Sequence, residues 1–333
     1  MVTVSIIGAG FMGMTHARAY VKNPSVKIAY IADLIKERAE SLAAEVGGEA
    51  ITNYEKILLD PSVDLVDVSL PTPFHPEYAI RALEAGKHVV VEKPLALNVE
   101  AADRMLEASS KAGRFLLVAH VLRFWPEYLA IRSVLESNRL GAPRQATAFR
   151  LSNLPQWSSW FRDPEMTGGG VLDIQIHDLD MLNWLFGKPL RLLSTGLRGE
   201  MGGWDHVTTL LEYPEVKASV ECSFLMPMDF PFTVGFKVLC EKGLIEYYFR
   251  AGGASFEMGQ PQTHLLLFEE GKPNQPVPFT PGDGFVREIT YFVECVSLGQ
   301  APTIITPADA RLAIQVAQAS RRSLDIGEVV SLD

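Results

Sequence analysis

The chain has 333 residues, 47% apolar and 21% charged, with a net charge of −10 at pH 7. That length predicts two domains and an ordinary globular core. An acidic chain without clustered cations cannot bind nucleic acid by releasing counterions, and no apolar run is long enough to span a bilayer, so both partners are excluded.

Cys222, Cys240 and Cys295 are odd in number, widely spaced and free of any CxxC, which argues against a disulfide framework or a zinc site. "MVTVSIIG" enters a strand directly, with no basic segment or cleavage site ahead of it, so a reducing, cytoplasmic location is expected.

In chain order, "VSIIGAG" reads as a buried parallel strand and "HARAYVKN" as a helix. "VKIAYIAD" is a second strand and "IKERAESLAAEVG" a second helix with a glycine stop. "DLVDVSLP", "PEYAIRALEAG", "HVVVEKP", "NVEAADRMLEASSKAG" and "RFLLVAHV" continue the alternation, which predicts βαβ units and a parallel sheet as far as Arg123. After the helix "PEYLAIRSVLESN" the pattern changes to strands of period two. In "VKASVECSFLM", Val216, Ala218, Val220, Cys222 and Phe224 point one way, and Lys217, Ser219, Glu221 and Ser223 the other. This predicts a mostly antiparallel sheet with one face covered. Residues 251–284 read as loops around a strand "HLLLFEE", and "PADARLAIQVAQASRRSLDIG" as a late amphipathic helix.

Three stretches carry chemistry. "GAGFMG" places Gly8, Gly10 and Gly13 between the first strand and a helix, with Asp33 at the end of the second strand. Gly8 allows the tight turn, Gly10 lets backbone approach a pyrophosphate, and Gly13 permits close helix–strand packing. The helix N-terminus then offers N–H groups to the phosphates. The carboxylate of Asp33 suits ribose hydroxyls and repels a 2′-phosphate. Leu34 and Ile35 follow it, so NAD is expected rather than NADP, although Lys36 and Arg38 lie close enough to compete.

"HVVVEKP" puts Glu92, Lys93 and Pro94 at a strand's C-terminal end, where α/β sheets bind ligands. Alone, Lys93 reads more readily as an ordinary surface lysine than as a site residue. "GGGVLDIQIHDLDMLNW" sets Asp173, His177 and Asp180 at i, i+4, i+7, on one helical face behind a glycine run. A carboxylate beside an imidazole raises its pKa and orients it. The alternatives are a buried histidine bonded to a carbonyl, or a metal held by all three residues. Asp180 reads as a structural polar group. Trp125, Trp157 and Trp160 suit a sugar-sized pocket or a core, and Trp184 a core. "QWSSWFRDPEMTGGG" has the composition of a loop over a site.

Taken together, "GAGFMGMTHARAY", "AIRALEAGKHVVVEKPLA" and "TGGGVLDIQIHDLDMLNWLFG" resemble the glucose-fructose oxidoreductase/inositol dehydrogenase/MocA family, and the likeness extends to the tail "EITYFVECVSLGQAPTIITPADARLAIQVAQASRRS". The resemblance implies an α/β fold: an N-terminal Rossmann domain over residues 1–122 and a C-terminal α/β domain with an open-faced, mostly antiparallel sheet over 123–333. It implies an NAD(P)-dependent oxidoreductase of sugars, inositol or related polyols, with His177 as acid/base and Lys93 and Asp173 as further catalytic residues. Gly8, Gly10, Phe11, Met12, Gly13, Asp33, Pro71, Thr72, His75, Glu92 and Lys93 are implied as cofactor contacts. Arg123, His120, Trp157 and Trp160 are candidate substrate contacts, and no metal is implied. His120 departs from many relatives. The open sheet predicts a homodimer or homotetramer. Two other readings stay open: redox-neutral sugar chemistry on a tightly bound, recycled nucleotide, and a non-catalytic nucleotide-bound sensor.

Overall fold

The structure is a computed structural model that describes residues 1–155, 159–252 and 261–332. Contacts divide the chain into two compact units: Met1–Trp125 with Gly282–Arg311, and Pro126–Pro281 with Leu312–Asp333. The division read from the sequence, 1–122 and 123–333, takes no account of this return of the chain to its first unit.

The first unit alternates as expected: β1 (Val2–Ile7), α1 (Phe11–Tyr20), β2 (Val26–Ala32), α2 (Lys36–Val46), β3 (Glu49–Ile51), α3 (Glu55–Leu59), β4 (Leu65–Val68), α4 (His75–Glu84), β5 (His88–Glu92), α5 (Val99–Ala112) and β6 (Leu116–Ala119). The six strands pair in parallel in the order β3-β2-β1-β4-β5-β6. Chain order reverses between β1 and β4, and ligands of such sheets bind outside the strands' carboxyl ends at that reversal. Strands β4 and β6 are buried along their whole length, which is why their sequences show no alternation and are apolar apart from Asp67 of β4. Local chemistry sets the helix ends. Asn98 caps α5 by accepting from Ala101 N–H at 2.8 Å, and Gly113, at φ 60°, closes it in the left-handed conformation.

The second unit holds α6 (Pro126–Glu136), β7 (Pro143–Leu151), α7 (Pro164–Thr167), α8 (Ile176–Phe186), β8 (Arg191–Arg198), β9 (Trp204–Glu212), β10 (Lys217–Ser223), β11 (Thr233–Cys240), β12 (Gly243–Arg250), β13 (Gln262–Glu269) and β14 (Gln275–Pro276). Helix α9 (Gly284–Leu298) belongs to the first unit; the boundary at Arg311 falls inside α10 (Pro307–Ile326), and β15 (Val330–Ser331) ends the second. The nine-stranded sheet runs β14-β13-β12-β11-β7-β10-β9-β8-β15. Only its β7–β10 pair is parallel, so the sheet is mixed with antiparallel pairs dominant.

The alternation read in β10 places Val216, Ala218, Val220, Cys222 and Phe224 in the core. Ser223, assigned by period to the open face, is buried instead: its hydroxyl accepts from Leu225 N–H at 3.0 Å where the strand ends. Under the sheet, Arg150 of β7 grips Asp178 of α8 through two bonds of 2.9 and 3.0 Å, with Asp178 fully buried. A buried pair of this kind adds little net stability, but removal of either member strands a charge in the core and costs about 3–5 kcal/mol.

Candidate functional site

The three glycines of the first loop do separate work. Gly8 sits at φ +102°, and a Cβ there would lie 2.3 Å from Ser69 O. A Cβ on Gly13 would lie 1.8 Å from Gly8 O, so α1 packs on β1 at a distance only glycine allows. Around Gly10 a Cβ would meet nothing within 4 Å. Gly10 is also the N-cap of α1; it has no side chain to cap with, and the first turn holds no acid. The helix thus offers its positive end to open space. Phe11 is exposed and Met12 half-buried at that turn.

Asp33 follows β2 at the same end of the sheet. Its Oδ2 accepts from Ala9 N–H and its Oδ1 from Ile35 N–H, both at 2.8 Å. Each carboxylate oxygen retains a lone pair for a further donor. A helix N-terminus without a side-chain cap, backbone room at Gly10 and a fixed carboxylate after β2 fit the phosphates and ribose of a dinucleotide.

The opposite rim comes from β4 and β5. Pro71 leads into a 3₁₀ turn, Thr72–Phe74, whose Thr72 is buried. His75 is 1% exposed, with Nδ1 2.9 Å from Pro94 O and Nε2 2.7 Å from Leu70 O. Burial lowers its pKa against the pull of these carbonyl groups. His75 was expected as a direct cofactor contact; its ring nitrogens face two loop carbonyls instead, and it pins the β4 and β5 loops together. Glu92 is buried, and its Oε2 accepts from Lys93 N–H at 2.9 Å, while the Lys93 side chain is half-exposed.

Sequence reasoning gave no role to His16, which is fully buried on α1 between two carboxylates. Its Nδ1 stands 2.9 Å from Asp67 Oδ2 and its Nε2 3.0 Å from Glu92 Oε1. The available signal was spacing: Gly13, His16 and Tyr20 lie at i, i+3, i+7, on the helix face that meets the sheet.

Two substrate candidates turn out to be interior residues. Arg123 is 1% exposed; it donates to Ile304 O at 2.8 Å and stands 3.4 Å from Asp309 Oδ2. Its charge holds the returning segment of the first unit. His120 is equally buried. Trp125 stands edge-on to Phe285, with ring centroids 6.2 Å apart, beside Gly284 at the start of α9.

In the second unit the glycine run serves close packing against β9. Gly168 and Gly169 have φ of +76° and +71°, and a Cβ on Gly170 would lie 2.9 Å from Trp204 O. The chain then makes a π-helical turn, Val171–Gln175, before α8. From Val171 to Asn183 every residue is buried except Asp173 and His177, which are half-exposed. Asp180, expected on their face, is 1% exposed. The π turn explains the difference. With more residues per turn than an α-helix, it brings positions 173 and 177 nearer one line and carries position 180 away from it. Single π turns also concentrate at functional sites.

Trp160 stacks on Phe161 at 4.2 Å, and Trp157 lies outside the described residues. Trp184 lies under the Arg132 guanidinium, 4.1 Å from ring centroid to carbon. Among the described residues no three or more His, Cys, Asp or Glu side chains converge as metal ligands would.

Comparison with known proteins decides the family. Residues 2–120 match the oxidoreductase family with an NAD-binding Rossmann fold, and residues 128–246 match the GFO/IDH/MocA C-terminal domain. The chain belongs to the Gfo/Idh/MocA family. As a member it is an NAD-binding oxidoreductase. It is 28% identical to the scyllo-inositol 2-dehydrogenase (NAD(+)) of Bacillus subtilis, with 100% of this chain and 96% of that protein covered. It is 27% identical to the D-xylose 1-dehydrogenase (NADP(+)) 2 of Haloferax volcanii, at 98% and 99% coverage. GenD2 from gentamicin A biosynthesis, solved in complex with NAD, shares the fold at a TM-score of 0.85 and 23% identity, with 100% of this chain and 96% of that chain covered.

The glycine geometry of this Gfo/Idh/MocA member separates folding from binding. Gly13→Ala should destabilise the protein by about 1–3 kcal/mol, since its methyl group meets backbone. Gly10→Ala should cost under about 1 kcal/mol of stability yet weaken NADH binding by roughly tenfold or more, because its methyl group occupies the space left for phosphate. Urea denaturation and an NADH fluorescence titration of both variants check this; equal NADH affinity in Gly10→Ala and the unaltered protein would contradict it.

Proposed function

We propose that the protein is an NAD-dependent dehydrogenase that interconverts a secondary alcohol of a sugar, inositol or related polyol with its ketone, with His177 as the acid/base. The observation that carries this reading is the stripe in Val171–Asn183, where an acid and an imidazole are the two half-exposed positions of an otherwise buried helix. Bound nicotinamide supplies the hydride chemistry. His177 takes the hydroxyl proton, and Asp173, one turn earlier, orients the ring and favours its charged form. Lys93, on the first unit, is the cation that stabilises developing negative charge on oxygen. Pro71, Thr72 and Glu92 are proposed on the cofactor rim with Gly8, Gly10, Phe11, Met12, Gly13 and Asp33. The polyol class is supported by relatives named as inositol and xylose dehydrogenases.

His177→Ala and Lys93→Ala should each lower turnover by about 10²-fold or more and leave NADH binding largely intact. A screen of polyols and sugars for NADH formation supplies the substrate. Near-normal turnover in either variant would remove that residue from the assignment.

NAD is proposed over NADP because Asp33 is held in place by two backbone N–H groups and cannot turn away from a 2′-phosphate without losing both. At roughly 4 Å and an effective dielectric of about 20, each pair of like charges costs about 4 kcal/mol before screening. The expected result is a kcat/KM for NAD at least about tenfold above that for NADP, narrowing in Asp33→Ser. An unchanged ratio in the variant would acquit Asp33.

The open face of the nine-stranded sheet supports a homodimer or homotetramer. Strand register puts Leu193, Leu197, Leu210 and Leu239 on the same face as Lys217, Ser219 and Glu221. All four leucines are exposed. Phe149 covers Gly235 on that face, and beyond it Tyr248 and His264 stack at 5.5 Å. Set among Lys217, Ser219 and Glu221, these side chains make the face more apolar than β10 alone suggested, which supports its use as a contact surface. Light scattering at micromolar concentration should give a multimer, and Leu210→Asp should lower the mass; a monomeric mass for the unaltered protein would rule the assembly out.

A further inference from the structure

We propose that His16 is a positioning residue for Lys93: shared between Asp67 and Glu92, it fixes Glu92 against the Lys93 backbone and so sets where the lysine side chain leaves the chain. This rests on the reading of Lys93 given above. The geometry is a run of hydrogen bonds through the buried interior of the first unit, joined at one link, His16 Nε2 to Glu92 Oε1, by a close charge contact of 3.0 Å rather than an aligned hydrogen bond. Tyr20 donates to Asp67 Oδ2 and Ser69 to Asp67 Oδ1, at 2.9 and 2.8 Å. His16 Nδ1 reaches the same Asp67 Oδ2, and His16 Nε2 reaches Glu92 Oε1. Glu92 Oε2 accepts from Lys93 N–H. One residue further on, His75 faces Pro94 O at 2.9 Å. The Lys93–Pro94 segment is therefore held on both sides by buried imidazoles that come from helices, while the Lys93 side chain is half-exposed.

Charge explains why histidine stands at position 16. Ionised carboxylates only accept hydrogen bonds, so a ring that faces one on each nitrogen must donate from both. Burial alone lowers the pKa of this ring; the charges and hydrogen bonds of Asp67 and Glu92 outweigh it and hold the pKa well above 6.5. The other groups facing this network are the Tyr20 hydroxyl on α1, the Phe285 ring, 6.5 Å from the His16 ring, and Glu288 of α9, a buried acid close enough to act on Tyr20. With Asp67 of β4 and Glu92 of β5 facing its two nitrogens, the imidazolium is the cation these two acids share. Glutamine at position 16 could span the same atoms in length, but it brings no charge to the buried space between the two acids.

The sign of the linkage follows. A pKa raised on folding contributes stability that is full below the unfolded value near 6.5 and is lost as pH rises through the folded value. The clamp is thus intact at neutral pH.

The test uses the full chain. In the unaltered protein, ¹⁵N NMR of the histidine rings should show His16 protonated on both nitrogens at pH 7.5. A neutral His16 ring at that pH overturns the proposal without any variant. In His16→Gln, exchange of the Lys93 amide hydrogen should quicken by about tenfold or more, the loss of one good hydrogen bond, while Val90 and Val91 in the middle of β5 keep their protection. Equal acceleration at all three amides means His16 serves stability alone and overturns it, as does no change at Lys93. If His16→Gln does not fold, Glu92→Gln is read in the same way, since it removes the charge and keeps the shape. With scyllo-inositol and NAD as the trial pair, turnover in His16→Gln should fall by on the order of 10²-fold, the cost of a misplaced group, with KM for NAD nearly unchanged. Normal turnover there, alongside a defect in Lys93→Ala, overturns the proposal. Normal turnover in Lys93→Ala instead removes the reading of Lys93, and the ring and amide measurements then decide the clamp by themselves.

Discussion

Helix α1 lies so close to the end of β1 that a methyl group at residue 13 would fall 1.8 Å from Gly8 O. Much of the first unit's chemistry depends on this approach. It aims the α1 N-terminus at the space over Gly10, and it carries His16 and Tyr20, on the same helix face, into reach of Asp67 on β4. A helix standing farther off would leave Asp67 and Glu92 as buried carboxylates without a cation, each costing several kcal/mol. Glycine at position 13 and histidine at position 16 are two parts of one constraint.

The second unit reaches its polar stripe by a different route. Its glycine run approaches the backbone of β9 rather than open space, and the π turn that follows realigns the helix. Asp178, next to His177 in sequence, turns inward to Arg150, while His177 stays half-exposed. Neighbouring residues of the same polar character thus take opposite roles according to which side of the helix they occupy. The buried ion pair fixes the helix rotation, and the rotation decides which residues remain open.

What could be read in the sequence was what depends on near neighbours. The turn at Gly8, the close packing at Gly13 and the place of Asp33 after β2 follow from a strand, a turn and a helix and from the strand beside them. The alternation of β10 likewise gave its core face. Arg123 could not be read, because its partners Ile304 and Asp309 lie more than 180 residues away and nothing near it announces them. The return of residues 282–311 to the first unit was hidden for the same reason. Asp180 was misplaced because spacing was converted to angle at α-helical pitch, and one π turn breaks that conversion. The apolar character of the open sheet face was missed because only one strand was read, and its leucines come from β8, β9 and β11.

A chain of net charge −10 that binds an anionic dinucleotide must keep its own acids from opposing the phosphates. Four local features accomplish this at the carboxyl end of the parallel sheet. The first turn of α1 contains no acid. Asp67 and Glu92 are both tied to the His16 imidazolium. Asp33 retains a free-standing charge, but each of its oxygens already takes a backbone N–H, which draws its field toward the loop. Lys93 adds a cation at the end of β5. The net charge of the molecule therefore says little about this region; the arrangement of a few buried donors does. Asp33, with no cation beside it among the described residues, stands at the end of β2, where the preference for NAD over NADP proposed above would arise.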